Sequence, residues 1–190
     1  MQQSTNYIKV VGFDPSLRNW GISIGNYDTV SKRLIIEKVD VTQPVLSTNK
    51  RVRTNSLDLE SSKQLAEAAI EACKGARAIF VEVPVGSQSA RSMASYGICV
   101  GVLGTLRAMG IPFFEVSPSE VKLVSVGKAT ATKKDMINWM IKSHPEALLP
   151  LHNGKVIESK AEHMADATAA IHAGVESTLF KQMLTISATI

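Results

Sequence analysis

Residues 10–25, with the sequence VVGFDPSLRNWGISIG, contain two apolar runs separated by a short polar connection. Asp14 ends the first run, and Trp20 opens the second. Aspartate and proline are common turn residues, so the pattern predicts two strands joined by a turn. A turn is sufficient to explain Asp14 taken alone. A functional role for its carboxylate requires partners elsewhere in the chain.

Other segments of the sequence carry the patterns of strands and helices. Residues 7–13, 20–27 and 33–41 have strand-like compositions separated by short turns, which predicts an antiparallel meander. Apolar runs predict two more strands at 78–83 and 112–116. Apolar spacing and capping residues predict helices at 57–75, 89–109, 117–124, 133–144 and 159–174, with a loop around 150–155. This order is typical of an α/β layer fold with a mixed sheet.

The composition and length narrow the class of protein. A chain of 190 residues without repeats or low-complexity linkers fits one domain. We expect that domain at 1–175 and a C-terminal tail at 176–190 that forms a weak helix or is partly disordered. An aromatic content of 5% argues against a single-strand binder built on stacking platforms. A net charge of +4 is compatible with a polyanionic partner without identifying one.

The cysteines and the absence of targeting signals predict a location. Cys73 and Cys99 lie in predicted helices without CxxC spacing, so we expect free, buried thiols in a reducing cytoplasm. The N-terminus lacks the pattern of a signal peptide, and the longest apolar region is too short to span a bilayer. The sequence therefore predicts a cytoplasmic protein without a membrane partner.

A second carboxylate occupies an unusual position in a predicted strand. Glu82 lies near the end of the apolar run AIFVEV, residues 78–83, where burying an unpaired acid is costly. If this strand lies parallel to the one that ends at Asp14, both carboxylates emerge at the same edge of the sheet. Ligands of open α/β sheets bind outside such carboxyl ends. A functional role and a structural role therefore explain the position of Glu82 equally well.

The segment AEHMADA, residues 161–167, adds further ligand types on one predicted helix. His163 and Asp166 are three residues apart and share a face, and Glu162 and Asp166, four apart, can also converge. Taken alone, this pattern also fits a solvated helix face. Combined with the two strand acids, it predicts an oxygen-rich site for Mg²⁺, since a divalent cation offsets the repulsion between crowded carboxylates.

Together these motifs resemble the RuvC-type Holliday-junction resolvases of the ribonuclease H-like superfamily, in particular divergent phage members. The resemblance runs over residues 8–173 and is carried by GFDPSLRNWG, FVEVP, EVKLVSVGKATATKKDM and HMADATAAI, in that order. Ser16 stands where a glycine is usual, and Asn19 and Trp20 replace a small residue and a threonine. The resemblance implies a five-stranded mixed sheet, three antiparallel strands and then parallel ones, flanked by helices.

The resemblance also implies roles for individual residues. It carries the metal-binding positions onto Asp14, Glu82 and Asp166, with His163 at a fourth position where many members have aspartate. Two Mg²⁺ ions, replaceable by Mn²⁺, are implied, with Asp14 bridging them. The two catalytic lysines fall on Lys122 and Lys133. The DNA-binding candidates are Arg91, Lys128 and Lys134, the last also an alternative to Lys133.

The activity implied is that of a homodimer that binds a four-way DNA junction and makes paired, symmetric nicks in a bacterial or phage-infected cell. A debranching enzyme for flaps and forks and a non-catalytic junction-binding protein are the alternatives. A sugar-kinase-like ATPase is disfavoured, because it needs a duplicated domain that the chain lacks. The basic cluster at 50–53 fits either a phosphate contact or a solubilising loop.

Overall fold

A central five-stranded sheet organises residues 6–187, the part of the chain that the computed structural model describes. Its strands are β1 (Tyr7–Asp14), β2 (Trp20–Asp28), β3 (Leu34–Thr42), β4 (Ala78–Glu82) and β5 (Phe114–Val116). The spatial order is β3-β2-β1-β4-β5. β1, β2 and β3 pair antiparallel, and β4 and β5 continue the sheet in parallel. The predicted mixed sheet is confirmed.

Six helices cover the sheet and its edges in the described part of the chain. They are α1 (Thr54–Cys73), α2 (Ala90–Ala108), α3 (Pro118–Val126), α4 (Lys133–Ser143), α5 (Glu158–Glu176) and α6 (Thr178–Ser187). Side chains alternate between the two faces of a strand. Accordingly, Phe13 packs in the cluster that contains Leu65 of α1 and Leu106 of α2, whereas Val10 packs with Ile171 of α5.

Helix α5 lies unusually close to the sheet because small residues line the contact. A Cβ built on Gly12 would collide with the carbonyl of Ala167, and one built on Gly21 would collide with the carbonyl of His163. The buried alanines of α5, which include Ala165 and Ala170, are fully shielded from solvent. The alanine-rich segment of α5 therefore packs directly on the sheet.

Two lysine-bearing helices begin with well-defined caps. The Ser117 hydroxyl accepts a hydrogen bond from the backbone N–H of Glu120, and Thr132 and Asp135 form the equivalent capping box at α4. Pro118 occupies the first turn of α3, where its missing N–H would have no partner within the helix. These caps set the first turns of α3 and α4.

The loop predicted around 150–155 is in fact a short hairpin. Its strands are β6 (Leu151–His152) and β7 (Lys155–Val156), joined at Asn153 and Gly154, which both have positive φ. An Asn-Gly pair favours such a two-residue turn. The prediction missed the hairpin because each strand has only two residues.

The segment set apart as a C-terminal tail contains α6, so its described part is helical. Phe180 of this helix is fully buried and packs edge-on against Tyr27, Phe80 and Phe114. Helix α6 therefore contributes to the core on the α5 side of the sheet. Residues 188–190 lie outside the described part.

Both cysteines are buried and free, as predicted. Burial raises the pKa of the Cys73 thiol to about 11. Within residues 6–187, no helix is long and apolar enough to cross a bilayer.

Candidate active site

The strand register brings Asp14 and Glu82 to one edge of the sheet. Phe13 of β1 pairs with Val81 of β4 in parallel, and the next residue on each strand is one of the two acids. Each is the last residue of its strand. The carboxyl ends of β1 and β4 therefore present two acids side by side, as expected for parallel neighbours.

Helix α5 brings the other predicted ligands to the same edge. Its N-terminal half lies over the end of β1, and the tight approach of Gly21 to the His163 carbonyl sets the height of the helix. His163 and Asp166 thereby join the two strand acids around a cleft of about 270 Å³. The cleft is lined by Asp14, Pro15, Ser16, Glu82, Pro84, Val85, Tyr96, Pro118, Lys133, Glu162, His163 and Asp166.

His163 lies between two carboxylates. Its Nδ1 donates a hydrogen bond to Oδ2 of Asp14 at 2.6 Å, and its Nε2 lies 3.5 Å from Oε1 of Glu162. Burial by itself would lower the pKa of His163, but the hydrogen bond and charge of Asp14, with the charges of Glu162 and Asp166, outweigh it and raise the pKa. The surrounding acids thus favour protonation of the imidazole more than burial opposes it.

Glu82 and Asp166 are the two most enclosed acids of the cleft, and their surroundings destabilise the charged form of each. Burial, followed by the negative charges of Asp14 and Asp166, raises the pKa of Glu82 to about 8. Burial and the charge of Asp14 likewise raise the pKa of Asp166, against the opposing effect of His163. Such crowding of carboxylates is unfavourable without a compensating cation.

Two lysines act on the cleft from α3 and α4. Lys133 Nζ forms a salt bridge of 2.7 Å with Oε2 of Glu162, and this hydrogen bond is the main reason that the pKa of Lys133 is raised. The charge of Lys122 lowers the pKa values of Glu82 and Asp166, although it does not outweigh burial. Both lysines predicted from the sequence therefore lie where they influence the cleft electrostatically.

The other cations named from the sequence have different surroundings. Lys128 forms a salt bridge of 3.3 Å with Asp135, and Lys134 is an exposed residue in the first turn of α4. Arg91 makes a bidentate ion pair with Asp58, at 2.6 and 2.7 Å, that ties the start of α2 to α1. Arg91 therefore stabilises the packing of α2 on α1. About half of its side chain remains exposed to solvent.

Among the ionisable residues that line the cleft, Glu162 and Tyr96 were not among the predicted site residues. Glu162 is 13% exposed and connects Lys133 to His163. The sequence shows that Glu162 lies four residues before Asp166, which suggests that the two side chains can converge. The sequence does not show that Glu162 pairs with a lysine on another helix. Tyr96 reaches the cleft from α2, and nothing in the surrounding MASYG sequence indicates this.

The donor set fits a divalent metal ion, although it is not arranged as a finished coordination sphere. Within residues 6–187, no three His, Cys, Asp or Glu side chains stand in a ready metal-binding arrangement. Oδ2 of Asp14 is instead engaged by His163. The carboxylates of Asp14, Glu82 and Asp166 nevertheless supply the hard oxygen donors that Mg²⁺ prefers, in a cleft where their charges repel one another.

Solved structures that share this architecture include proteins in complex with Holliday junction DNA. RuvC of Thermus thermophilus, in complex with a Holliday junction substrate, matches with a TM-score of 0.61 and 15% identity, covering 88% of this chain and 96% of that one. The chain has the RuvC fold. A second Thermus thermophilus RuvC structure matches with a TM-score of 0.59 and 17% identity, over 88% of this chain and 97% of that one.

A viral resolvase also shares the RuvC fold. The Fowlpox virus resolvase in complex with Holliday junction DNA matches with a TM-score of 0.55 and 13% identity, covering 90% of this chain and 100% of that one. No protein-family model matches the sequence, and no curated protein matches it. At this level of identity the likeness shows the RuvC fold.

Proposed function

We propose that this protein is a metal-dependent endonuclease that resolves four-way DNA junctions by paired, symmetric nicks. The observation that carries the proposal is the convergence of Asp14, Glu82, His163 and Asp166 in one cleft at the carboxyl edge of the sheet. The solved structures of this fold include two resolvases bound to junction DNA, which supports the same substrate class.

The residues of the cleft divide into metal ligands and cationic groups. Asp14, Glu82 and Asp166 would hold Mg²⁺, or Mn²⁺ in its place, and His163 would act as a fourth ligand or position the attacking water. A divalent ion bound there supplies Lewis acidity and a lowered pKa for water in phosphodiester hydrolysis. Lys122 and Lys133 add positive charge near the phosphate, where it stabilises the charge that develops during cleavage.

Glu162 positions Lys133 in this scheme. The 2.7 Å salt bridge holds the ammonium group beside the cleft before DNA arrives. A phosphate entering the cleft offers Lys133 a second anionic partner, so the lysine can contact substrate without losing its orientation. Lys128 and Lys134 lie on the same side of the cleft as Lys133, and we propose that they contact the DNA backbone.

Paired nicking requires two cleavage sites, and helix α2 offers a surface on which two copies could meet. Its exposed side carries the small residues Ala94, Gly97, Gly101 and Gly104 beside the exposed Val100. Small side chains let a second helix approach closely. We therefore propose a homodimer that contacts through α2.

The function is tested with an end-labelled mobile four-way junction, a Y-fork and a linear duplex of matched sequence, each incubated with Mg²⁺. We expect symmetric nicks in the junction, mapped by their ends, and little cutting of the linear duplex. Equal cutting of junction and fork would favour a broader debranching enzyme. Absence of Mg²⁺-dependent cutting of any branched DNA would contradict the proposal.

Replacing Glu82 with glutamine should stabilise the metal-free protein at alkaline pH. The folded protein retains the Glu82 proton up to a pKa of about 8, whereas the ordinary pKa is 4.5. The contribution of this group to stability is therefore fully present below pH 4.5 and is lost as the pH rises through 8. At pH 8 we expect Glu82→Gln to raise the free energy of unfolding by roughly 4 kcal/mol in urea titrations with EDTA.

Mg²⁺ should narrow this difference between Glu82→Gln and the wild type. Because ions that bind only the folded state stabilise it, excess Mg²⁺ should add about 1–2 kcal/mol to the wild type and much less to Glu82→Gln. Glu67→Gln, an exposed change on α1, is the matched control and should behave like the wild type. An equal response of wild type and Glu82→Gln to Mg²⁺ would argue against Glu82 as a ligand.

A further inference from the structure

The segment that joins β3 to α1 forms a basic strap, defined here as residues 43–53. It carries Lys50, Arg51 and Arg53, and no acidic residue occurs between positions 43 and 55. All three basic residues are exposed. Among residues 6–187, none forms a salt bridge with these three side chains, whereas Lys128, Lys133 and several other cations have acidic partners. The strap thus presents three uncompensated positive charges.

The basic strap is held in place by side-chain hydrogen bonds. Gln43 Nε2 donates to Oδ1 of Asn19 at 2.7 Å. The backbone N–H of Val45 donates to Oε1 of Gln64 at 2.8 Å, and its carbonyl accepts from Nε2 of the same side chain at 2.9 Å. Further along, the N–H of Arg51 donates to the side chain of Asn49. These contacts order a segment that is otherwise without secondary structure.

The position of the basic strap relates it to the cleft. It begins where Thr42 at the end of β3 pairs with Trp20. Its anchor Asn19 belongs to the turn that follows Asp14, which lines the cleft. The strap therefore starts at the same edge of the sheet as the acidic cluster.

The end of the basic strap adds a second feature suited to an anion. Arg53 is the N-cap residue of α1, its side chain makes no capping hydrogen bond, and the first turn of this 20-residue helix has no acidic residue. Free N–H groups and the positive end of the helix dipole favour negative charge there. Three cations next to this end are unfavourable for folding, which is consistent with an anionic ligand.

We propose that Lys50, Arg51 and Arg53 of the basic strap bind the phosphate backbone of a DNA duplex arm on the α1 side of the cleft. Lys128 and Lys134 lie on the α4 side, so the scissile strand would be held from both sides of the acidic cluster. This inference rests on the proposed function and adds a contact surface to it. The partner is recognised by its regular phosphate charge, without sequence information.

The test uses a strap variant, Lys50→Gln, Arg51→Gln and Arg53→Gln, and a control variant, Lys32→Gln, Arg33→Gln and Lys74→Gln. The control residues lie at the opposite end of the sheet and of α1. Each variant loses three charges, from a net +4 to +1. Binding to a fluorescent four-way junction is measured by anisotropy with Ca²⁺ at several KCl concentrations, and circular dichroism verifies that each variant is folded.

The strap variant should bind the junction about tenfold more weakly near 150 mM salt, and the slope of log Kd against log salt should fall by about 2–3, since each phosphate contact contributes about 0.9. The control variant should stay close to the wild type. Equal losses in both variants, or a strap variant that matches the wild type, would overturn the strap contact while leaving the proposed function intact. A wild type that neither binds nor cuts branched DNA would overturn both.

Discussion

Asp14→Asn is expected to lower the rate of junction cleavage by at least about 10³-fold, equivalent to about 4 kcal/mol of activation free energy. Asp14 ends β1 and is hydrogen-bonded to His163 of α5, and its charge acts on Glu82, Asp166 and His163. Asparagine keeps the size of the side chain and one oxygen, but it removes the negative charge that a divalent ion requires. The loss should therefore fall on catalysis.

Binding separates this explanation from unfolding or lost substrate contact. Asp14→Asn should bind the four-way junction as tightly as the wild type or more tightly, because one negative charge is removed from the path of the DNA. Asp28→Asn is the matched control. Asp28 lies at the opposite end of β2, where its carboxylate accepts hydrogen bonds from Val30 and Ser31. Cleavage retained in Asp14→Asn would contradict a metal-holding role for this residue.

Gly21→Ala should destabilise the protein by about 2–4 kcal/mol and lower the melting temperature by roughly 5–15 °C. Its Cβ would collide with the carbonyl of His163, and the backbone on both sides is held by regular hydrogen bonding in β2 and α5. Helix α5 has to move away from the sheet to make room. Because α5 also carries His163 and Asp166, cleavage should fall even under conditions where the variant is folded.

Thermal melting and junction cleavage, measured on the same preparation, test this coupling between packing and activity. Gly86→Ala provides the control, because Gly86 is exposed and a Cβ there meets only the sulfur of Met93 at an ordinary 3.8 Å. This control should change stability by less than about 0.5 kcal/mol. A melting temperature for Gly21→Ala equal to that of the wild type would mean that the close contact between β2 and α5 is not needed.

The sequence indicated much of the fold because its local patterns agree with the tertiary structure. Each predicted strand of the central sheet is present, and the capped start of α3 was visible in SPSE, residues 117–120. The hairpin at 151–156 was missed because its strands are too short to show a period. The sequence left open whether the tail forms a helix, and only the structure shows that Phe180 of α6 fills the core.

By itself the sequence determined the strands of the central sheet, the helices α1 to α5 and the carboxylates at the ends of two strands, because these properties depend on neighbouring residues. The tertiary structure decided which distant side chains meet. It paired Lys133 with Glu162 and His163 with Asp14, joined Arg91 to Asp58, and put the basic strap at the edge of the cleft. Such contacts depend on how closely α5 packs on the sheet and where α1 begins, and no local pattern specifies these distances.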